Sequence, residues 1–330
     1  MTLRIGIVGA GMVSEHHLQA WRNEGRAKVV AIADPDLQRA AARAYEFGIP
    51  TVFKDGLELI RSGLLDAVDI ASPVETHAHL CRAAFRSSLA VLCQKPLAAD
   101  AEEAARLVAE IPDTARLMVH ENWRFRPEYR RAYEVVRSGR LGPAVDVRLS
   151  ARSSGLLSHN GRFPALVRQP FLARLDRLIV FELLVHHLDV LNWMFGPLRV
   201  ETAILERRCE AVIGEDTASI SLRGRDGIPI RLDGTFVDRD ASPTISDMLD
   251  IRFTTGRLRL DDGVLEIEEP QPARQSFDPK ISYALAYFGA IVHFASAVID
   301  GSDFESQPSD HAAILRLVED VYRIGSYPKQ

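Results

Sequence analysis

The sequence predicts an α/β domain built on a doubly wound parallel sheet, followed by an α+β domain with a large, mostly antiparallel open sheet. Three observations carry this. Over the first 120 residues, short apolar runs alternate with helical patterns, which builds a parallel sheet with right-handed crossovers. Beyond about residue 144 strand patterns follow one another through turns such as Gly224-Arg225-Asp226-Gly227, the connection of an antiparallel sheet. The length, 330 residues, suits two domains and a sizeable core. The division expected is 1–120 and 121–330, with the last helix returning to the first domain.

In order, strands are expected at 3–8, 28–33, 66–71, 89–93 and 115–119. Helices lie between them at about 12–24, 35–46, 55–62, 75–87 and 100–110. A helix near 127–138 opens the second part. Strands follow at 144–152, 199–209, 216–223, 229–237, 248–255, 257–261 and 264–268, interrupted by a long helix near 178–195. Helices near 281–300 and 310–325 close the chain. The stretch 153–177 is rich in Arg, Pro and Gly and reads as a long loop, a form often functional beside a cleft. There is no internal repeat and no low-complexity tract.

The first strand ends in the most informative motif, Gly9-Ala10-Gly11-Met12-Val13-Ser14, where a helical pattern begins at once. A strand that delivers backbone N–H groups and a helix N-terminus in this way presents them to a pyrophosphate. Gly9 makes the tight turn, and Gly11 lets the main chain approach the phosphates without a Cβ in the way. The second strand ends at Asp34, 25 residues after Gly9, where a carboxylate accepts from the adenosine ribose hydroxyls. A carboxylate there repels a 2′-phosphate, so NAD is expected rather than NADP. The alternative reading of Asp34 is a cap for the helix beginning near Pro35.

The net charge of −5 leaves no basic footprint for nucleic acid. Cys81, Cys93 and Cys209 have neither metal-site spacing nor an even count, which points to a reducing compartment. The first strand begins at residue 3, leaving no room for a leader, and no apolar run is expected to span a membrane. A cytoplasmic globular protein follows from these expectations.

Two segments carry chemistry. Lys95, in Gln94-Lys95-Pro96, stands at the carboxyl end of a parallel strand, where open α/β sheets bind their ligands. Its ammonium can hydrogen-bond a substrate hydroxyl and stabilise the alkoxide that forms as hydride leaves; the alternative is a solvated lysine at a loop start. On the long helix, Glu182, His186 and Asp189 are four and three apart and so share one face. Polar groups in so apolar a helix need partners or a cleft. An imidazole suits proton removal near neutrality; the alternative is a core histidine satisfied by its neighbours. His187 points a third of a turn away and reads as structural. These side chains have ligand chemistry, but only three share a face and hydride transfer from an alcohol needs no metal beside Lys and His, so none is expected.

The Gly-x-Gly turn, Gln94-Lys95-Pro96 and Glu182-x-x-x-His186-His187-x-Asp189 together resemble the Gfo/Idh/MocA family of nicotinamide-dependent oxidoreductases, which act mainly on sugars and polyols. Ser72-Pro73 with His77 is similar to the family's Thr-Pro…His element. Asn192-Trp193-Met194-Phe195-Gly196 is similar to its Trp…Gly close, and Phe294-x-x-Ala297-x-x-x-x-Gly301 and the final helix from Asp310 also fit. The resemblance implies a Rossmann first domain and a cis Lys95–Pro96 peptide. It places substrate between the domains and makes His186 the general base on the alcohol, with Lys95 and Glu182 beside it. It assigns Gly9, Gly11, Met12, Val13, Asp34, Ser72, Pro73, His77 and Lys95 to the cofactor.

Substrate contacts are expected from Lys95, Asn122, Arg124, Arg152, Glu182, His186 and Asp189. In His120-Glu121-Asn122-Trp123-Arg124-Phe125-Arg126-Pro127 the polar residues alternate with aromatics, so that Asn122 and Arg124 face the cleft while Trp123 and Phe125 pack behind; a junction held by aromatics is the alternative. The loop adds Arg162, Arg168 and Arg174, able to bind vicinal hydroxyls or clamp a carboxylate. A neutral sugar or polyol is preferred, an aldose oxidised at C1 to the lactone first among them, with inositol or a sugar acid as alternatives. The sequence departs from the family pattern in four places: Ser14 for Gly or Ala, Gln94 for Glu, Glu182 for Asp, and Leu178-Ile179 for a double glycine. An open sheet leaves one face to cover, and a homodimer or homotetramer is expected. A dinucleotide-binding regulator without catalysis is the reading from another class; retention of Lys95 and His186 speaks against it.

Overall fold

The computed structural model describes residues 2–269 and 271–326, and every expected site residue lies within them. The chain divides into two compact units, Met1–Arg126 with Tyr283–Leu315, and Pro127–Ser282 with Arg316–Gln330.

In the first unit β1 (Leu3–Val8), β2 (Ala27–Ala33), β3 (Thr51–Phe53), β4 (Ala67–Ile70), β5 (Ala90–Gln94) and β6 (Leu117–His120) form a parallel sheet ordered β3-β2-β1-β4-β5-β6. The crossovers carry α1 (Met12–Glu24), α2 (Leu37–Phe47), α3 (Gly56–Arg61), α4 (His77–Arg86) and α5 (Ala101–Ala109). Strand order reverses between β1 and β4, and the carboxyl ends at such a switch form the ligand crevice of open α/β sheets. Ile5, Ile7, Ile32, Ile70 and Leu92 are fully buried. Apolar residues run almost without interruption along these strands because both faces of the sheet are covered.

The second unit contains α6 (Pro127–Ser138), β7 (Ala144–Arg152), α7 (Pro164–Arg168) and α8 (Val185–Phe195). After these come β8 (Arg199–Glu206), β9 (Thr217–Arg223), β10 (Pro229–Thr235), β11 (Ser246–Phe253), β12 (Arg257–Asp261), β13 (Val264–Glu268) and β14 (Ala273–Ser276). Its sheet is ordered β14-β13-β12-β11-β7-β10-β9-β8; β10 pairs parallel with β7 and every other neighbour is antiparallel. Side chains alternate strictly. On β9, Ala218, Ile220 and Leu222 are buried while Ser219, Ser221 and Arg223 lie on the opposite face.

The last two helices are α9 (Pro279–Asp300) and α10 (Pro308–Ile324). By length and composition α9 meets the requirement for crossing a membrane, with mean hydropathy 1.6, which corrects the expectation that no segment does. In the first unit its Tyr287, Ala290, Ile291, Phe294 and Ala295 are core residues packed with Trp21, Leu92 and Met118.

Other differences have local causes. The strand β3 is too short for its periodicity to show, and β14 is a polar edge strand with no apolar signal. The stretch 153–177 is not one loop: it holds α7 and a 3-10 turn at Pro170–Arg174. The long helix near 178–195 begins as a π-helix over Ile179–Leu184, where Val185 N–H reaches back five residues to the Val180 carbonyl, and becomes α-helical only at Val185.

Candidate active site

In the first unit Gly9 has φ +107°, and a Cβ there would lie 2.5 Å from the Ala71 carbonyl oxygen. The turn is therefore wedged against the end of β4. Gly11 is different: a Cβ there would meet nothing within 4 Å, and no side chain caps α1. The opening N–H groups of α1, at Gly11, Met12 and Val13, thus stand before open space. That is the cradle a pyrophosphate requires, and these residues fit a dinucleotide. Ser14 is buried and its hydroxyl donates to the Gly11 carbonyl at 2.7 Å.

Asp34 is 8% exposed; its Oδ2 accepts from Ala10 N–H at 2.8 Å and its Oδ1 from Asp36 N–H at 2.9 Å. It ties the β2 turn to the glycine turn. The cap of α2 is Asp36, which accepts from the Gln38 and Arg39 N–H groups, so capping does not account for Asp34. Its carboxylate keeps further lone pairs for a ribose.

After β4, the Ser72 and Thr76 hydroxyls are 2.6 Å apart, and Thr76 Oγ1 donates to the Pro73 carbonyl. His77 is buried, with Nδ1 2.7 Å from the Pro96 carbonyl oxygen and Nε2 2.8 Å from that of Ser72. It joins the Ser72-Pro73 segment to the Lys95-Pro96 turn, whose peptide is cis. Burial pulls the His77 imidazole's pKa below its ordinary value, against the two carbonyls. Lys95 follows β5, and its backbone N–H donates to Gln94 Oε1 at 2.7 Å.

Residues Asn122–Phe125 form a 3-10 turn, not an extended run, so the expected alternation does not apply there. Asn122, Trp123, Arg124 and Phe125 are all buried, and Arg124 Nη1 donates to the Glu305 carbonyl at 2.8 Å, with Asp310 at 3.7 Å. Beside them the sequence reading missed Glu121. It is fully buried, its pKa pushed up by burial against the pull of His311, Lys95 and Arg124, which places a carboxyl within the field of the lysine.

In the second unit Glu182 lies on the π-helical turn and is half-buried, while His186 and Asp189 on α8 are buried. The widened turn, not α-helical spacing alone, sets how Glu182 lies relative to the other two. The start of this helix is held by Glu215. Its carboxylate accepts from Leu178 and Val180 N–H at 3.2 and 3.1 Å and from the Tyr322 hydroxyl at 2.6 Å. These are N–H groups that no helical carbonyl can serve. Arg177 adds a two-pronged pair with Glu319 at 2.6 and 2.9 Å. His187 is engaged on the protein: Nε2 is 3.0 Å from Asp247 Oδ1, and Tyr129 donates to the other oxygen at 2.9 Å. Arg152, on the rim of β7, is exposed and 3.7 Å from Asp238.

A glycine cradle on a parallel sheet, a lysine at the next strand end but one, and a buried histidine on a polar helix face define a nicotinamide-dependent oxidoreductase. Residues 3–121 match the model of the oxidoreductase family with an NAD-binding Rossmann fold, and residues 129–259 match the GFO/IDH/MocA C-terminal domain. The chain belongs to the Gfo/Idh/MocA family. It is 31% identical to D-apiose dehydrogenase of Paraburkholderia graminis, over 96% of this chain and 86% of that one. With inositol 2-dehydrogenase of Rhizobium meliloti it shares 26%, over 98% and 97%. Its fold matches an oxidoreductase from Agrobacterium radiobacter in complex with NAD+, L-tartaric acid and magnesium, with TM-score 0.92 and 26% identity over 99% and 97% of the two chains. The enzyme is an NAD-dependent dehydrogenase.

Proposed function

We propose that this dehydrogenase oxidises an aldose of pentose type at C1 to the lactone, using NAD. His186 takes the hydroxyl proton, Lys95 polarises the oxygen and stabilises the alkoxide, and Glu182 and Asp189 orient the neighbouring hydroxyls. NAD, when bound, accepts the hydride from the carbinol carbon. Gly9, Gly11, Met12 and Val13 hold the pyrophosphate, Asp34 holds the ribose, and Ser72, Pro73 and His77 form the wall beside Lys95. Asn122, Arg124 and Arg152 complete the substrate contacts.

The observation that carries this reading is the likeness to a D-apiose dehydrogenase through 96% of the chain, which takes in both the Lys95 turn and the His186 helix. A second reading, a sugar acid, is favoured by the tartaric acid in the structural relative and by the exposed Arg152.

The test is NADH formation with D-apiose, other pentoses, hexoses, inositols and tartaric and uronic acids, repeated with NADP. Turnover confined to aldoses is expected, and Lys95→Ala should lower it by orders of magnitude with NAD still bound. Turnover confined to acids moves the reading to the second; silence with NAD binding confirmed leaves a dinucleotide-binding regulator.

The protein works in the cytoplasm as a homodimer or homotetramer, consistent with three buried, unpaired cysteines. The outer face of the second sheet alternates acids and bases, Asp146 and Arg148 on β7 beside Arg231 and Asp233 on β10, and such a face is complementary to its own copy. Sedimentation should show an oligomer that loosens at high salt; a monomer at every salt concentration overturns this.

A further inference from the structure

Behind Lys95 lies a buried polar chain that the proposed mechanism does not use. Asp69 on β4 is fully buried; it accepts from Trp21 Nε1–H at 2.7 Å and faces His17 Nδ1 at 2.8 and 3.1 Å. An imidazole nitrogen so close to a carboxylate carries the proton. At the other end, Lys95 N–H donates to Gln94 Oε1. That bond orients the amide, turning its NH2 group towards His17 Nε2 at 3.5 Å, the longest link. An amide NH2 only donates, so Nε2 must accept; a second proton on the ring would set N–H against N–H.

We propose that Asp69, His17 and Gln94 form a one-way hydrogen-bond chain that positions Lys95 and holds the His17 ring neutral, protonated on Nδ1 alone. This rests on the assignment of Lys95 to the reaction. His17 and Gln94 are positioning residues. The chain ties α1, whose first turn forms the phosphate cradle, to the turn after β5 that carries the lysine. The titratable groups about the His17 ring are Asp69 from β4, His120 from β6 at 4.2 Å between ring centres, Tyr287 from α9 at 5.4 Å, and His16 beside it on α1, with Cys93 on β5 in the field of Asp69. Asp69 is the carboxylate among them, and it faces Nδ1. A Glu at position 94, which the family pattern has, would put a second carboxylate at Nε2 and call a second proton onto the ring. Gln94 fixes the proton count, so Lys95 is held by a support that does not titrate.

The test uses Gln94→Glu and Gln94→Met, both close in shape to the native side chain. In 15N-histidine-labelled protein at neutral pH, with His17 assigned by comparison with His17→Gln, the wild-type ring should show the Nδ1–H tautomer with Nε2 unprotonated. In Gln94→Glu the second carboxylate should bring a proton onto Nε2 as well. The Lys95 amide proton resonance should move in Gln94→Met as its acceptor is lost. With the substrate found in the panel, Gln94→Met should lower kcat roughly tenfold at unchanged KM for NAD, and Gln94→Glu should acquire a pH-dependent limb absent from wild type.

An imidazolium in wild type, or a neutral ring in Gln94→Glu, overturns the proton assignment. An unmoved Lys95 resonance or an undiminished kcat in Gln94→Met overturns the positioning. If wild type turns over nothing, the dehydrogenase reading fails by itself, and the two spectroscopic readouts still decide the chain.

Discussion

Gly9 and Gly11 look alike in sequence, yet the structure gives them opposite tasks, and replacing each by alanine separates them. At Gly9 a Cβ runs into the Ala71–Ser72 peptide, with Ala71 O at 2.5 Å, Ala71 C at 2.7 Å and Ser72 N at 2.9 Å, and φ is +107°. The left-handed backbone costs an L residue roughly 1–2 kcal/mol, and crowding against rigid backbone adds about 1–3 kcal/mol, so Gly9→Ala should lose about 2–5 kcal/mol. For a chain of 330 residues that should lower the melting temperature by roughly 3–7 °C. At Gly11, φ is −72°, ordinary for any residue, and the Cβ meets nothing within 4 Å. Gly11→Ala should therefore melt within about 0.5 kcal/mol of wild type. Its methyl group would enter the space left for the pyrophosphate and should weaken NAD at least tenfold, about 1.4 kcal/mol. Thermal melts and NADH fluorescence titration read the two effects. Wild-type NAD affinity in Gly11→Ala would refute the cradle, and a wild-type melt for Gly9→Ala would refute the packing argument.

Asp34→Ala should weaken NAD and narrow its advantage over NADP, and an unchanged preference in paired titrations would sink the ribose assignment. Glu215→Ala strands the Leu178 and Val180 N–H groups and the Tyr322 hydroxyl, and should cost about 3–5 kcal/mol in urea unfolding; a loss under about 1 kcal/mol contradicts the role given to Glu215. The hydrogen bond from Arg257 holds the Asp250 carboxyl below its ordinary range. Its stabilisation is thus present above the unfolded value and is lost as pH falls through the folded one. With Arg257 39% exposed the contribution stays under about 1 kcal/mol. Asp250→Asn should therefore melt slightly below wild type at about pH 7, with the gap closing as the pH falls below the ordinary carboxylate range. A gap that persists in acid would show that the pair is not its source.

What the sequence made legible follows the range of the interactions involved. Alternating apolar runs report burial on a sheet, so β1, β2 and β4–β13 could be read locally, and the glycine turn and Gln94-Lys95-Pro96 are contiguous motifs. Tertiary partners could not be read. Glu215 holds the start of the helix bearing Glu182, but one of its partners, Tyr322, lies 107 residues away. Asp34 reaches back 24 residues to Ala10, which no capping rule anticipates. The turn at Asn122–Phe125 is not legible because four residues of alternating polarity suit an extended run and a 3-10 turn equally. Its partners lie late in the chain, with Tyr283 against Trp123, His293 against Phe125 and the Glu305 carbonyl on Arg124. The π-helix over Ile179–Leu184 escaped for the same reason: an apolar run carries no mark of whether its N–H groups reach back four residues or five.

Three of the departures from the family pattern turn out to be locally consistent. Ser14, in place of a small apolar residue, has its hydroxyl satisfied on the Gly11 carbonyl within its own helix. Leu178-Ile179, in place of a flexible glycine pair, have backbone groups caught by Glu215: Leu178 N–H by the carboxylate and Ile179 N–H by the main-chain carbonyl at 3.0 Å. Gln94, in place of Glu, lies between the Lys95 N–H it accepts from and the His17 nitrogen it faces. Each change alters a polar or backbone requirement, and each new requirement is met by a group with one suitable orientation. A chain drifting from catalysis would leave such requirements unmet, because nothing would select the second partner. The supports of the cofactor turn, the lysine turn and the histidine helix are all retained in altered form, which argues for an enzyme tuned to a different substrate rather than one that has lost its reaction.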